Sequence, residues 1–355
     1  MEWQTLFPIM MERKATHLFL VPGSPVMIKE KGVMAALEQE SLYPKDTQEF
    51  ADFVMRPEQK ELFAKNMEVN FSYSIPGLSR FRITVFRQRG SVAAVISTHP
   101  QTVPSMEELG LPESIKNMVL NTHHGLILIC GPKSSGKSYT MAGIINYLLE
   151  TRNTHIVTLE NPIDFLYKNR KGIICQREIG IDTKSYHEAL ISVANQGADV
   201  LAIGEIPTHE IARTVFSIAA GGTLVIAVAQ ATSVMLMLDT IFNMFPPLYA
   251  QQGKILLGEC VNAIICQTLL NKPGGEGQVL GCEILIGTPQ IKNFIKEGKT
   301  IQIHTTMGSS TRETGMQTQE QAFRYLVKRG LVSQEEAYSK AARPEEFKKI
   351  MSLPY

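Results

Sequence analysis

The segment GPKSSGKS at Gly131–Ser138 constrains this chain more than any other stretch, because of what stands on either side of it. The apolar run GLILIC leads directly into it, and the helical run SYTMAGIINYLLE follows at once. A strand that turns through a G-x-x-x-x-G-K-[ST] loop into a helix brings a strand end, inward-facing backbone N–H groups and a positive helix N-terminus to one point. Gly131 and Gly136 let the backbone turn inward, Lys137 is set to reach the β- and γ-phosphates of a nucleotide, and Ser138 offers a hydroxyl to Mg²⁺. The expected binding residues are Gly131, Pro132, Lys133, Ser134, Ser135, Gly136, Lys137, Ser138 and Tyr139, with ATP and Mg²⁺ as occupants. A glycine turn that binds nothing would share the pattern but not the context.

Hydrolysis also needs a carboxylate to position the magnesium or the attacking water, usually at the end of a neighbouring strand. The run ADVLAIGE ends in Glu205 and the run HIVTLE in Glu160, both at the carboxyl edge where ligands of such sheets sit. Taken singly, each is equally a solvated strand-end charge; their shared position beside the phosphate loop favours the catalytic reading. A cluster of arginines, Arg80, Arg82, Arg87 and Arg89, is either a solvated strand face or a source of positive charge for a transferred phosphoryl group.

The runs Leu126–Cys130, His155–Leu159, Val200–Ile203 and Leu224–Val228 alternate with helical patterns over Lys137–Leu149, Tyr186–Gln196 and Glu210–Ala219. That alternation predicts an α/β fold with a mostly parallel sheet covered on both faces. Residues 1–99 read instead as a separate α+β domain. It has a helix near Glu2–Lys14, a strand at His17–Val21, a helical stretch around Thr47–Lys65, and a strand that places Phe81, Ile83 and Val85 on one face. The proline-bearing stretch 100–112 is the expected linker, and 113–355 the second domain. Its tail, Gly253–Met351, reads mainly as helices broken by a turn at Asn271–Gly277.

Composition narrows the partners. Lys plus Arg number 35 against 34 Asp plus Glu, a net charge of +1 that supplies no pull toward nucleic acid. Apolar runs such as Leu224–Ala229 are too short to span a bilayer, and the N-terminus lacks a signal-peptide layout, so a cytoplasmic protein with no direct membrane insertion is expected. The five cysteines are scattered without CxxC spacing and read as reduced, mostly buried residues. Cys130 abuts the phosphate loop, where burial is favoured over reactivity, and His123 and His124 read as loop histidines rather than metal ligands.

Several collinear segments resemble the secretion-superfamily ATPases, and within them the type IV pilus retraction ATPases of the PilT and PilU type. SRFRITVFRQRG is similar to that family's RFR strand, GPKSSGKS to its Walker A loop and TLENPIDF to its Asp box. QREIGIDTKSY is similar to a segment usually written QREVGxDTxSF, ADVLAIGEI to the Walker B strand, and IGTPQIKNFIKEGKTIQI with ETGMQTQEQAFRYLVKRGLVS to the C-terminal helices. The last two are worded more like PilU. The resemblance implies a PAS-like N-terminal domain on a RecA-like ATPase domain, ATP between them, and a homo-hexamer or a mixed ring with a paralogous ATPase. It further implies force exerted on an inner-membrane pilus platform protein, and peripheral placement at that membrane. It makes Glu205 the water-activating glutamate, Glu160 the Asp-box glutamate and Arg82 the first arginine finger.

The chain also departs from the pattern. Ser97 stands where a second finger arginine is expected, Asn161 replaces an aspartate, Pro207 and Thr208 replace an arginine and an aspartate, and Thr223 and Gln230 replace two histidines. Each lost contact of this sort is worth on the order of a few kcal/mol in the transition state. The expectations are therefore a ring motor subunit that hydrolyses ATP for pilus disassembly or, alternatively, a catalytically weak ATP-binding paralogue that supports an active one.

Overall fold

The buried run GLILIC forms an interior strand of the sheet in the second half of the chain. A computed structural model describes residues 2–30, 33–98, 102–275, 277–310 and 314–352. The expected domain boundary at residues 99 and 100, Glu276 of the expected turn, and the start of the ETGMQT segment at Glu313 lie outside the described residues. The chain divides into two compact units, Met1–Thr102 with Pro162–Phe165, and Val103–Asn161 with Leu166–Tyr355.

In the first unit, a turn of 3₁₀ helix precedes α1 (Leu6–Glu12), β1 (His17–Leu20), β2 (Met27–Glu30) and β3 (Val33–Ala36). Then come α2 (Pro44–Val54), α3 (Pro57–Asn66), β4 (Glu68–Ile75), β5 (Ser79–Gln88) and β6 (Ser91–Thr98). The strands pair in the order β3-β2-β1-β6-β5-β4, antiparallel throughout. Phe81, Ile83 and Val85 are fully buried and alternate with partly exposed Arg80, Arg82 and Thr84, as the period-2 pattern requires. The stretch expected as one helix is two. Met55 and Arg56 are extended, because a residue before proline is pushed out of the helical region and Pro57 opens α3.

The second unit contains α4 (Glu113–Asn121), β7 (Gly125–Cys130), α5 (Lys137–Thr151), β8 (His155–Glu160), β9 (Ile173–Glu178), α6 (Tyr186–Val193) and β10 (Val200–Ile203). It continues through α7 (His209–Ala220), β11 (Leu224–Val228), α8 (Val234–Met244), α9 (Ala250–Cys260), β12 (Val261–Asn271) and β13 (Gln278–Ile286). Five helices close it: α10 (Pro289–Glu297), α11 (Thr300–Ser309), α12 (Gln319–Lys328), α13 (Gln334–Lys340) and α14 (Pro344–Ser352). The sheet order is β13-β12-β7-β11-β10-β8-β9, parallel except for β13. Leu126 and Leu128 pack with α6, α7 and α8 on one face, Ile127 and Ile129 with α5 on the other, so both faces are covered. Met106, from the expected linker, is buried in the second of these clusters.

The tail starts in α9, as expected, but is not helical over Val261–Asn271 or Gln278–Ile286. VNAIICQTLLN forms β12, which lies parallel to β7, and the Asn271–Gly277 turn leads into β13 rather than into another helix. Eight of its eleven residues are buried, so no polar face betrays a period, and a continuous apolar run reads equally as strand or helix. The final helices dock on this hairpin. Phe323 of α12 and Phe347 of α14 are fully buried, and Gln319 donates to Thr268 Oγ1 (3.2 Å) while accepting from the Ala342 amide (2.6 Å).

Glu283 on β13 is a buried carboxylate acted on by charges of these helices. It is 3% exposed and accepts a hydrogen bond from the Val234 amide (2.8 Å) at the start of α8. Burial pushes its carboxyl up to about 7; the Val234 amide and Arg343 oppose the rise, and Glu320 and Glu346 add to it. Because the folded value lies above the unfolded one, the folded state holds an extra proton between about pH 4.5 and 7. Stability is therefore full below that window and falls as pH rises through it. Glu283→Gln removes this loss and is expected to gain on the parent by up to about 3 kcal/mol above pH 7. Urea unfolding at pH 5 and pH 8 measures it, and parallel falls in both proteins would contradict it.

Candidate functional site

β7 is buried at all six residues between β11 and β12, so the chain leaves it at a fixed height above the sheet. The loop then turns through Ser134 (φ 63°) and Gly136 (φ 86°), the latter at the N-cap of α5. These left-handed residues aim successive amides inward, and the positive N-terminal end of α5 adds to them. Gly131 cannot be replaced quietly: a Cβ there would fall 2.3 Å from Ser135 Oγ and 2.6 Å from the Gln267 carbonyl oxygen. Gln267 belongs to β12, and its side chain also donates to Thr140 Oγ1 of α5 (2.7 Å). One residue thus braces both ends of the loop. Ser135 Oγ is buried and has no hydrogen-bond partner among the described residues, as suits a group facing a ligand.

Lys137 is half-buried and curls back to donate to the carbonyls of Gly131 (3.0 Å) and Pro132 (2.6 Å). Burial lowers its pKa, against the effect of Cys130 and Cys266. Lys133, Ser134 and Tyr139 are exposed, and Ser138 and Pro132 are intermediate. Cys130 is fully buried, and desolvation pushes its thiol far up, with Cys266 adding to the rise, so it is no nucleophile at neutral pH. The cysteines are mostly buried, as expected, with Cys175 on β9 exposed.

The candidate carboxylates sit on the same edge of the sheet. Ile129 pairs with Val228, Ala227 with Ile203 and Ile203 with Leu159, so Glu160 and Gly204 fall one step past a common row. β10 ends at Ile203; Glu205 stands two residues beyond, in the exposed loop rather than in the strand. Glu160, by contrast, is buried and accepts from Thr158 Oγ1 (2.6 Å). Two neighbours were not foreseen from the sequence. Glu178, buried, is the register partner of Glu160 on β9, and Tyr186 places its buried hydroxyl near Gly204 and Glu205. No spacing rule links these residues, since only the strand pairing assembles them.

Arg82 lies in the first unit, on β5, and its Nε donates to Asn70 Oδ1 (3.1 Å). Its cross-strand partner on β6 is Ser97, the position where the resemblance implies a second arginine. Thr208 caps α7 by accepting from the Ile211 amide (3.4 Å), a role its hydroxyl fills without an aspartate. Gln230 is exposed beyond β11. Among the described residues, the His, Cys, Asp and Glu side chains close enough to bracket a metal ion are His304, Glu320 and Glu346, in the C-terminal helices rather than at the loop. Arg343 already reaches Glu346 there (3.4 Å). No helix of the described residues is long and apolar enough to cross a membrane.

A buried parallel strand, a glycine-turned loop closed by a lysine and an acidic sheet edge define the class of P-loop proteins. The chain belongs to the type II/IV secretion system protein family, whose model matches residues 82–341. It is 36% identical to the type IV pilus retraction ATPase PilT of Pseudomonas aeruginosa over 94% of this chain and 96% of that protein. To the type IV pilus ATPase PilU of the same organism it is 32% identical, over 99% and 92%. A crystal structure of the pilus retraction motor PilT with bound ADP superposes with a TM-score of 0.89 at 35% identity, covering 98% of this chain and 99% of that one. The fold is thus a RecA-like P-loop domain with an N-terminal α+β domain.

The Gly131 contacts generate a test. Gly131→Ala introduces overpacking worth about 1–3 kcal/mol into the loop, so ATP affinity by calorimetry should fall about tenfold or more while circular dichroism stays unchanged. Unaltered affinity would show that the close approach of Ser135 and Gln267 is not needed.

Proposed function

We propose that this chain is an ATP-hydrolysing motor subunit of the type IV pilus retraction type. The observation that carries the reading is the braced phosphate loop beside a carboxylate edge, in a chain collinear over nearly its whole length with pilus retraction ATPases. Gly131–Tyr139 hold the triphosphate, with backbone amides and the Ser135 hydroxyl as donors. Lys137 exchanges its carbonyl partners for β- and γ-phosphate oxygens. Ser138 would hold Mg²⁺, which supplies charge neutralisation on the phosphates when bound. Glu205, exposed and past the strand end, orients the attacking water; Glu160, held by Thr158, supplies a second carboxylate at that edge. Arg82, in an N-terminal domain of residues 1–99 joined through 100–112 to the ATPase domain 113–355, stabilises charge on the transferred phosphoryl group.

The working form is a hexameric ring, alone or mixed with a paralogous ATPase, peripheral to the inner membrane through a pilus platform protein. With Mg²⁺, the purified chain should hydrolyse ATP. Lys137→Ala should lose ATP binding, and Glu205→Gln should keep it while kcat falls by about 100-fold or more. Light scattering with nucleotide should give six subunits. Absence of ATP affinity in the unaltered chain would end this reading.

A further inference from the structure

Tyr186 has no part in the scheme above, yet its surroundings are those of the reacting edge. It opens α6, is 6% exposed, and its hydroxyl is buried without a hydrogen-bond partner among the described residues. A packed chain rarely leaves a buried donor without an acceptor, and a phenylalanine would fill the same volume without that penalty. The position of the hydroxyl is telling: an added Cβ at Gly204 would lie 3.8 Å from it, which sets it where the chain leaves β10 for Glu205. Burial, then Glu205 and Glu160, hold the phenol well above its ordinary pKa, so it remains a donor throughout the physiological range.

The two carboxylates near it are not equally open to it. Glu160 is buried and already accepts from Thr158 at 2.6 Å. Glu205 is exposed, two residues past the strand end, and its carboxylate is within reach of the Tyr186 hydroxyl. The hydroxyl makes no hydrogen bond of full geometry, and the Glu205 carboxylate is the side-chain acceptor that acts on it.

We infer that Tyr186 is a positioning residue that restrains hydrolysis: its hydroxyl donates to the Glu205 carboxylate and occupies an oxygen that the attacking water needs. A carboxylate that accepts a strong hydrogen bond pulls less on a second proton, and it offers one direction fewer to a water. The restraint acts on the chemical step and leaves the phosphate loop untouched, so it alters kcat rather than KM. This inference rests on the reading of Glu205 as the water-orienting group.

Tyr186→Phe tests it in the full chain with Mg²⁺ and ATP. The expected result is a severalfold rise in kcat with KM within twofold of the parent and a melting temperature equal or higher. Tyr186→Phe combined with Glu205→Gln should be as slow as Glu205→Gln alone, because the effect passes through that carboxylate. An equal or lower kcat in Tyr186→Phe, or a gain that persists in the combined variant, overturns the inference while leaving the ATPase reading in place. Should the parent show no turnover, a rate appearing in Tyr186→Phe supports the restraint, and continued silence refutes it. Loss of ATP binding by the parent, measured separately by calorimetry, strikes at the wider reading instead.

Discussion

The contact between Gly131 and β12 is the constraint on which the second unit depends. A backbone that passes within van der Waals reach of the Gln267 carbonyl has one path available, and that path delivers the loop amides to a common centre. The same glutamine reaches Thr140 and ties the first turn of α5 to the sheet. Because β7 is itself buried between two parallel strands, the loop inherits the rigidity of the core rather than the mobility usual for a surface connection. The geometry suits a phosphate site, where donors must be held in place before the ligand arrives.

The remaining parts of that edge come from distant stretches of chain. Glu160 is fixed by its strand and by Thr158, whereas Glu205 stands exposed in the loop past β10. One carboxylate is thus preorganised and the other open to solvent. The buried hydroxyl of Tyr186 beside them is a detail of side-chain placement rather than of fold, and the substitution of a single atom changes it.

Much of this was legible in the sequence. The phosphate loop was readable because its glycines and lysine have fixed spacing and its flanks differ sharply in pattern, and the strands β7, β8, β10 and β11 were readable as short apolar runs between amphipathic helices. β12 was not, since VNAIICQTLLN is buried on both faces and carries no period. β9 was missed for the opposite reason: IICQRE is an edge strand with mixed exposure and weak alternation. The break between α2 and α3 was visible in Pro57 but outweighed by the helical residues on both sides. Glu178 and Tyr186 were illegible as site residues because their relation to Glu160 and Glu205 exists only through strand register and helix packing.

On the proposed reading of the loop, the resting position of Lys137 bears on which ligands it takes. Its ammonium already has two carbonyl acceptors in Gly131 and Pro132, so an arriving phosphate displaces existing bonds rather than filling a void. Displacement is favourable only when anionic oxygens replace neutral ones, since charge-assisted bonds are the stronger. A nucleotide whose phosphate chain stops short of Nζ leaves the lysine where it is and forgoes that gain. Selection by chain length is therefore built into the resting position of one side chain.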